Sequence, residues 1–107
     1  MQYIEINKEL IPYNFNILLN NELYNLRVDF NNFANLFTVA LSKNDELICA
    51  GEPIIYGIPL FNDLITRGNF PQVMIIPKDK SGENNSVTFD NLSSTVFLTV
   101  SGGEIVE

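Results

Sequence analysis

Histidine is missing altogether from this chain, and with it go the usual general base and the commonest metal ligand. Serine–histidine and cysteine–histidine nucleophilic pairs are excluded for the same reason. Cysteine is nearly missing: Cys49 alone can neither close an intramolecular disulfide nor build a zinc site. It sits in the apolar run Leu47-Ile48-Cys49-Ala50, where a thiol reads as a small buried hydrophobe in a protein that folds in a reducing cytosol. Positive charge is scarce as well. Six basic residues stand against thirteen acidic ones, and the net charge of −7 repels phosphate backbones and anionic lipid headgroups. Lys8, Arg27, Lys43, Arg67, Lys78 and Lys80 are scattered without interleaved aromatics, so nucleic acid is not an expected partner. No segment approaches the roughly 18 apolar residues of a membrane span, and Met1–Ile6 lacks the basic and apolar regions of a signal peptide. Neither export by a signal peptide nor insertion into a bilayer is expected.

What is present is enough apolar material for a core. With 46% hydrophobic and 18% charged residues over 107 positions, the chain is expected to fold as one domain, residues 1–107. Tyr13, Phe15, Ile17 and Leu19 alternate with polar positions, which puts four apolar side chains on one face of a strand. Asn20-Asn21 tolerates left-handed backbone, and Tyr24, Leu26, Val28 and Phe30 then alternate in turn, so the two runs predict a β-hairpin with one wet face. After the turn marked by Asn31, Asn32 and Asn35, Leu36–Leu41 is apolar on both faces and is expected inside the sheet. Lys43-Asn44-Asp45-Glu46 reverses the chain into a strand at Leu47–Ala50, and Gly51-Glu52-Pro53 suggests a bulge or corner before Ile54-Ile55-Tyr56.

From Ile58 to Ile65 the apolar spacing is closer to helical, and a turn or short helix is expected there. Arg67–Pro71 breaks the pattern, Gln72–Ile76 is a β-prone run ended by Pro77, and Lys78–Ser86 is read as an exposed hairpin loop. Thr95–Val100 is the last strand, and Ser101-Gly102-Gly103 is read as releasing a flexible tail, 101–107. The expected fold is all-β and mainly antiparallel, a small barrel or sandwich with at most one short helix.

Carboxylates are the only catalytic groups in supply. Asp29, Glu52, Asp63 and Asp90 would have to meet in one cleft to act as an acid/base pair, and surface carboxylates are the simpler reading. Asp79, Ser81, Glu83 and Asn85 alternate like calcium ligands but lack the closing glutamate and central glycine of an EF-hand, so they read as a polar loop. No catalytic, metal or cofactor site is expected. Phe15, Tyr24, Phe30, Phe37 and Phe97 fall at strand positions that build a core. The run Ile54–Phe61 is unusually apolar for a loop and is weighed between core and interface, with core the better reading.

Three blocks carry a family resemblance: Ile11-Pro12-Tyr13-Asn14-Phe15, the hairpin arm Tyr24-Asn25-Leu26-Arg27-Val28, and Phe37-Thr38-Val39-Ala40-Leu41 before a polar turn. Together with Gly51–Leu60, in which an apolar strand lies between two glycines ahead of a leucine-rich turn, they resemble the phage baseplate plug family known from cyanophage tails. The likeness is strongest from Ile11 to Leu64. Lys43–Glu46 stands where the family carries a Gly-Asp-Gly-like turn, and the tail from Ser101 has no clear counterpart.

The resemblance implies a non-enzymatic structural part of the baseplate of a contractile tail, in a phage or a phage-derived bacteriocin, lodged near the hub, tube and central spike. It implies protein partners only, in several symmetric copies, and synthesis in the bacterial cytoplasm before assembly into the virion or particle. Tyr3, Ile4, Tyr56 and Phe61 are the anchors expected to touch those partners, because aromatics dominate interface energies. The competing reading is a stand-alone domain that binds a small molecule or peptide, which requires a closed barrel with a pocket. A carboxylate-dependent hydrolase, which needs two acids of split pKa in one cleft, is the weaker third.

Overall fold

A computed structural model describes residues 2–62, 73–101 and 105–106. The alternating run at its N-terminal end forms β2 (Tyr13–Leu19), which turns back at Asn20 and Asn21 into β3 (Glu22–Asn31) with Leu19 opposite Glu22. Both asparagines have positive φ, 50° and 68°, the conformation a two-residue hairpin turn demands and one that asparagine tolerates. Pairing continues from β3 to β4 (Leu36–Lys43) and from β4, through Asn44 and Asp45, again both at positive φ, to β5 (Glu46–Pro53). β5 is irregular: its register against β4 shifts twice around Leu41, and Gly51 adopts φ +70°. The bulge expected at Gly51-Glu52-Pro53 thus lies within the strand.

A smaller sheet faces this one. It is built from β1 (Gln2–Ile4), β6 (Met74–Asp79) and β7 (Val96–Ser101), all antiparallel, in the order β1-β7-β6. The larger sheet has the order β5-β4-β3-β2-β8, where β8 is Ile105–Val106. Neither sheet closes on itself, so the fold is an all-β sandwich rather than a barrel. Among the described residues the one complete helical element is a single 3₁₀ turn, Lys8–Leu10, capped by the Asn7 side chain, which accepts from the Glu9 N–H.

One apolar core fills the space between the sheets. Ile17, Leu19, Tyr24, Leu26, Val28, Phe37, Val39 and Leu41 point inward from the larger sheet, and Ile4, Ile75, Val96, Leu98 and Val100 meet them from the smaller. The intervening positions Asn14, Asn16, Asn25 and Arg27 make the outer face of the larger sheet wet, as the alternation requires.

Several expectations are corrected. β6 does not stop at Pro77 but runs on to Asp79. The Pro77 carbonyl faces away from β7 and accepts from Gly57 N–H at 2.9 Å, so the missing N–H lies on that same side and costs the β6–β7 ladder nothing. Phe97, read as core, lies on the outer face, because Val96, Leu98 and Val100 take the inward positions of β7. Ile105–Val106, within the stretch read as a released tail, pairs with Leu18 and Leu19 of β2. The turn or short helix expected from Ile58 needs no correction: the described part, Ile58–Asn62, turns at Leu60 and Phe61, and the remainder, with the break at Arg67–Pro71, lies outside the described residues.

After β5 the chain crosses between sheets. Ile54 N–H donates to the Phe37 carbonyl of β4, Gly57 adopts φ +76°, and Gly57 and Leu60 then donate to the Pro77 and Ile75 carbonyls along β6. The segment covers the outer edge of β6 and buries Ile54, Leu60 and Phe61.

Candidate functional site

Two of the four candidate carboxylates make structural contacts. Asp29 is paired with Arg27 at 3.0 Å, and Glu52 accepts the N–H of Phe61 at 2.9 Å. Asp90 lends its backbone carbonyl to Lys8, and Asp63 lies outside the described residues. Asp79 is buried, and its two oxygens accept from the N–H and hydroxyl of Ser81 and from the backbone and side-chain amides of Asn84. The Ser81 hydroxyl at 2.7 Å does most to hold the Asp79 carboxyl down at about 2; burial opposes it, and Asn84 and the backbone N–H groups add to it. That is a carboxylate used to close a turn, with its acceptor positions filled by donors rather than left to a cation. Among the described residues no group of three or more acidic or cysteine side chains is placed to hold a metal ion.

Hollows exist but are open to solvent. One of about 410 Å³ lies at the hairpin end of the larger sheet, between Asn16, Leu23, Asn25, Ser42, Asn44 and Leu47. Beside it the Lys43 ammonium pairs with Glu22 at 2.9 Å and holds that carboxyl below its ordinary value. Burial pushes the neighbouring Tyr24 phenol up to about 12, with Glu22 adding to the effect. This hollow is open to solvent and lies on the outside of an open sheet among the described residues, unlike the enclosed barrel pocket a stand-alone binding domain would need.

The exposed apolar side chains are more telling. On the outer face of the three-stranded sheet Tyr3 and Ile76 flank Thr99, with Phe97 and Met74 one position along on the same face. The rings of Tyr3 and Phe97 lie 4.8 Å apart, and Tyr3 and Met74 remain 44% and 41% exposed. Lys78, opposite Phe97, and Ser101, opposite Met74, share this face, so the apolar patch is bordered by polar side chains. β1 sits at the edge of that sheet, with a free row of backbone groups beside Tyr3 among the described residues.

A second apolar surface gathers where the β3–β4 hairpin meets the loop before β7. Phe89 stacks on Phe37 with ring centres 5.8 Å apart and meets Phe30 edge-on at 5.1 Å, yet is 44% exposed. Lys8 fixes it there: its ammonium donates to the Phe89 and Asp90 carbonyls at 2.8 and 3.0 Å and lies over the Phe89 ring. Phe33 stands fully exposed on the hairpin itself.

The four expected anchors are not brought together. Ile4 and Phe61 are each 1% exposed and belong to the core, so they have no surface to offer a partner. Tyr56 is half-buried, and its hydroxyl accepts the Asp79 N–H at 3.0 Å, a structural assignment. Tyr3 alone presents its ring outward. Met74, Phe89 and Phe33 are exposed apolar side chains that the sequence reading does not single out, though Phe33 is flanked by three turn-forming asparagines. Ile54–Phe61 divides between the two readings weighed for it, with Ile54, Leu60 and Phe61 inside and Ile55 and Ile58 about half exposed, at 48% and 53%.

No curated protein matches the chain at a significant level. A protein-family profile described as the cyanophage baseplate Pam3 plug gp18 matches residues 1–103.

Proposed function

The chain belongs to the cyanophage baseplate plug family, and from that premise we propose that it is a structural plug packed near the hub, tube and spike of a contractile tail. The observation that carries the reading is the extent of the family match, which covers residues 1–103. The family's role is structural and implies assembly into the virion with other baseplate proteins. In that role the chain has no active site and needs no cofactor.

The outer face of the three-stranded sheet, with Tyr3 on its edge strand β1 against Phe97 of the central strand, suits packing against a neighbouring protein by face contact or strand addition. Several symmetric copies around the tail axis, and a home in either an infectious phage or a tail-like bacteriocin, follow from the same reading. The net charge of −7 keeps the domain off nucleic acid and anionic membranes. A cryo-EM map of the intact tail particle tests it: density for this chain in stoichiometric copies at the baseplate hub is the expected result. A complete particle that lacks the chain would sink the assignment.

A further inference from the structure

We infer that Phe33 is an anchor by which the β3–β4 hairpin tip plugs into an apolar socket with a basic rim on a different baseplate protein, an inference that rests on the baseplate reading above. Phe33 makes no contribution to the fold that its exposure would permit: the side chain is fully accessible while the core residues around the hairpin, Phe37 and Ile54, are closed off. Single exposed apolar side chains are ordinary on protein surfaces, and what sets this ring apart is that a fixed, uncharged turn holds it out.

The tip is built to hold the ring still. Asn31 pairs with Leu36 as the last rung of the ladder, and the Asn31 side-chain oxygen accepts the N–H of Phe33 at 2.9 Å and of Ala34 at 3.0 Å. Asn35 closes the turn at φ 56°. A ring presented on a fixed turn loses little freedom when it is inserted, which is what makes a small aromatic contact an effective anchor. On either side of the tip lies a hollow, one of about 290 Å³ reaching Asn32 between Ile11, Pro12 and Phe89 and bordered by Lys8 and Asp29, the other of about 260 Å³ reaching Ala34 between Leu36, Ile55 and Val87. They give the rim of a socket somewhere to close against, so that water is kept from the ring.

Charge selects the occupant. Residues 31–36 carry no charge, which suits an apolar floor, while the molecule behind them is at −7. Two copies of this chain would repel each other, and a partner with basic residues around the socket is drawn in.

The test is complementation of a phage deleted for this chain with the Phe33→Ser variant, reading the amount incorporated into purified tails and the thermal midpoint of the isolated protein. The expected result is an unchanged midpoint with incorporation reduced about tenfold or more, as truncation of an interface anchor gives. Phe33→Leu is expected to restore most of it, and a photo-crosslinking residue at position 33 to join a different baseplate protein. Incorporation of Phe33→Ser at the wild-type level overturns the inference, as does a lowered midpoint or a crosslink to a second copy. Absence of the wild-type chain from complete tails removes the baseplate reading as well, and is told apart by that control.

Discussion

Asp79 is the one buried charged residue among those described, and its environment makes a pH dependence. Its carboxyl sits at about 2 in the folded chain against 3.8 ordinarily, because Ser81 and Asn84 donate to the ionised form. Folding therefore gains stability from Asp79 in full above about pH 4, and loses it as the pH falls through about 2. Asp79→Asn is expected to lower the thermal midpoint at neutral pH and to flatten its fall between pH 4 and pH 2; an unchanged acid limb would show that other groups control it. At this scale the site was only partly legible. Tyr3 and Ile4 were named together as anchors with no strand read around them, yet in β1 neighbouring side chains face opposite ways, so Tyr3 turns outward and Ile4 into the core. Phe61 was miscast for a different reason. Its burial depends on the chain folding back along β6 and on a backbone at φ +59° held by Glu52, neither of which periodicity reveals.

Among the elements, the hairpins follow from local signals and the sheet switch does not. Asn20-Asn21 and Asn44-Asp45 each place two residues at positive φ, which costs most side chains roughly 1 kcal/mol or more apiece and asparagine less. Asn21→Gly is expected to raise stability slightly, and Asn21→Val to lower it by about 1 kcal/mol, read from chemical denaturation midpoints. Equal midpoints for the two variants would show that the turn is not set by these dihedrals. β2 and β3 were readable because each buries one face, so the period of two is written into the chain, while β4 was read from its continuous apolar run and β5, which buries no side chain fully, from the polar turn before it. The path of Ile54–Leu60 was not, since its bonds go to carbonyls of Phe37, Ile75 and Pro77, residues remote in sequence whose availability depends on the finished sandwich. Pro77 misled for the same reason: only the side on which its N–H is missing, known once β7 and Gly57 are placed, makes it compatible with a strand.

As a whole the molecule is two open sheets joined by a single apolar core, and its stability rests on that contact. Leu98, fully buried on β7, sits where the smaller sheet presses on the larger. Leu98→Ala is expected to cost about 3 kcal/mol, a large share of the 5–15 kcal/mol that hold an ordinary domain together, measured as a shift in the urea midpoint with little change in slope. A loss under about 1 kcal/mol would mean that the core closes over the gap.

The crossing segment has a mechanical side. It is bonded at one end to β4 and at the other to two points along β6, so the two sheets share a short tether as well as a greasy contact. A pull that slides one sheet past the other is carried by these bonds together, whereas a pull that peels the edge of β6 meets them one at a time. For a member of a baseplate family, the direction in which a load arrives decides whether this tether acts as a brace or as the first stitch to give.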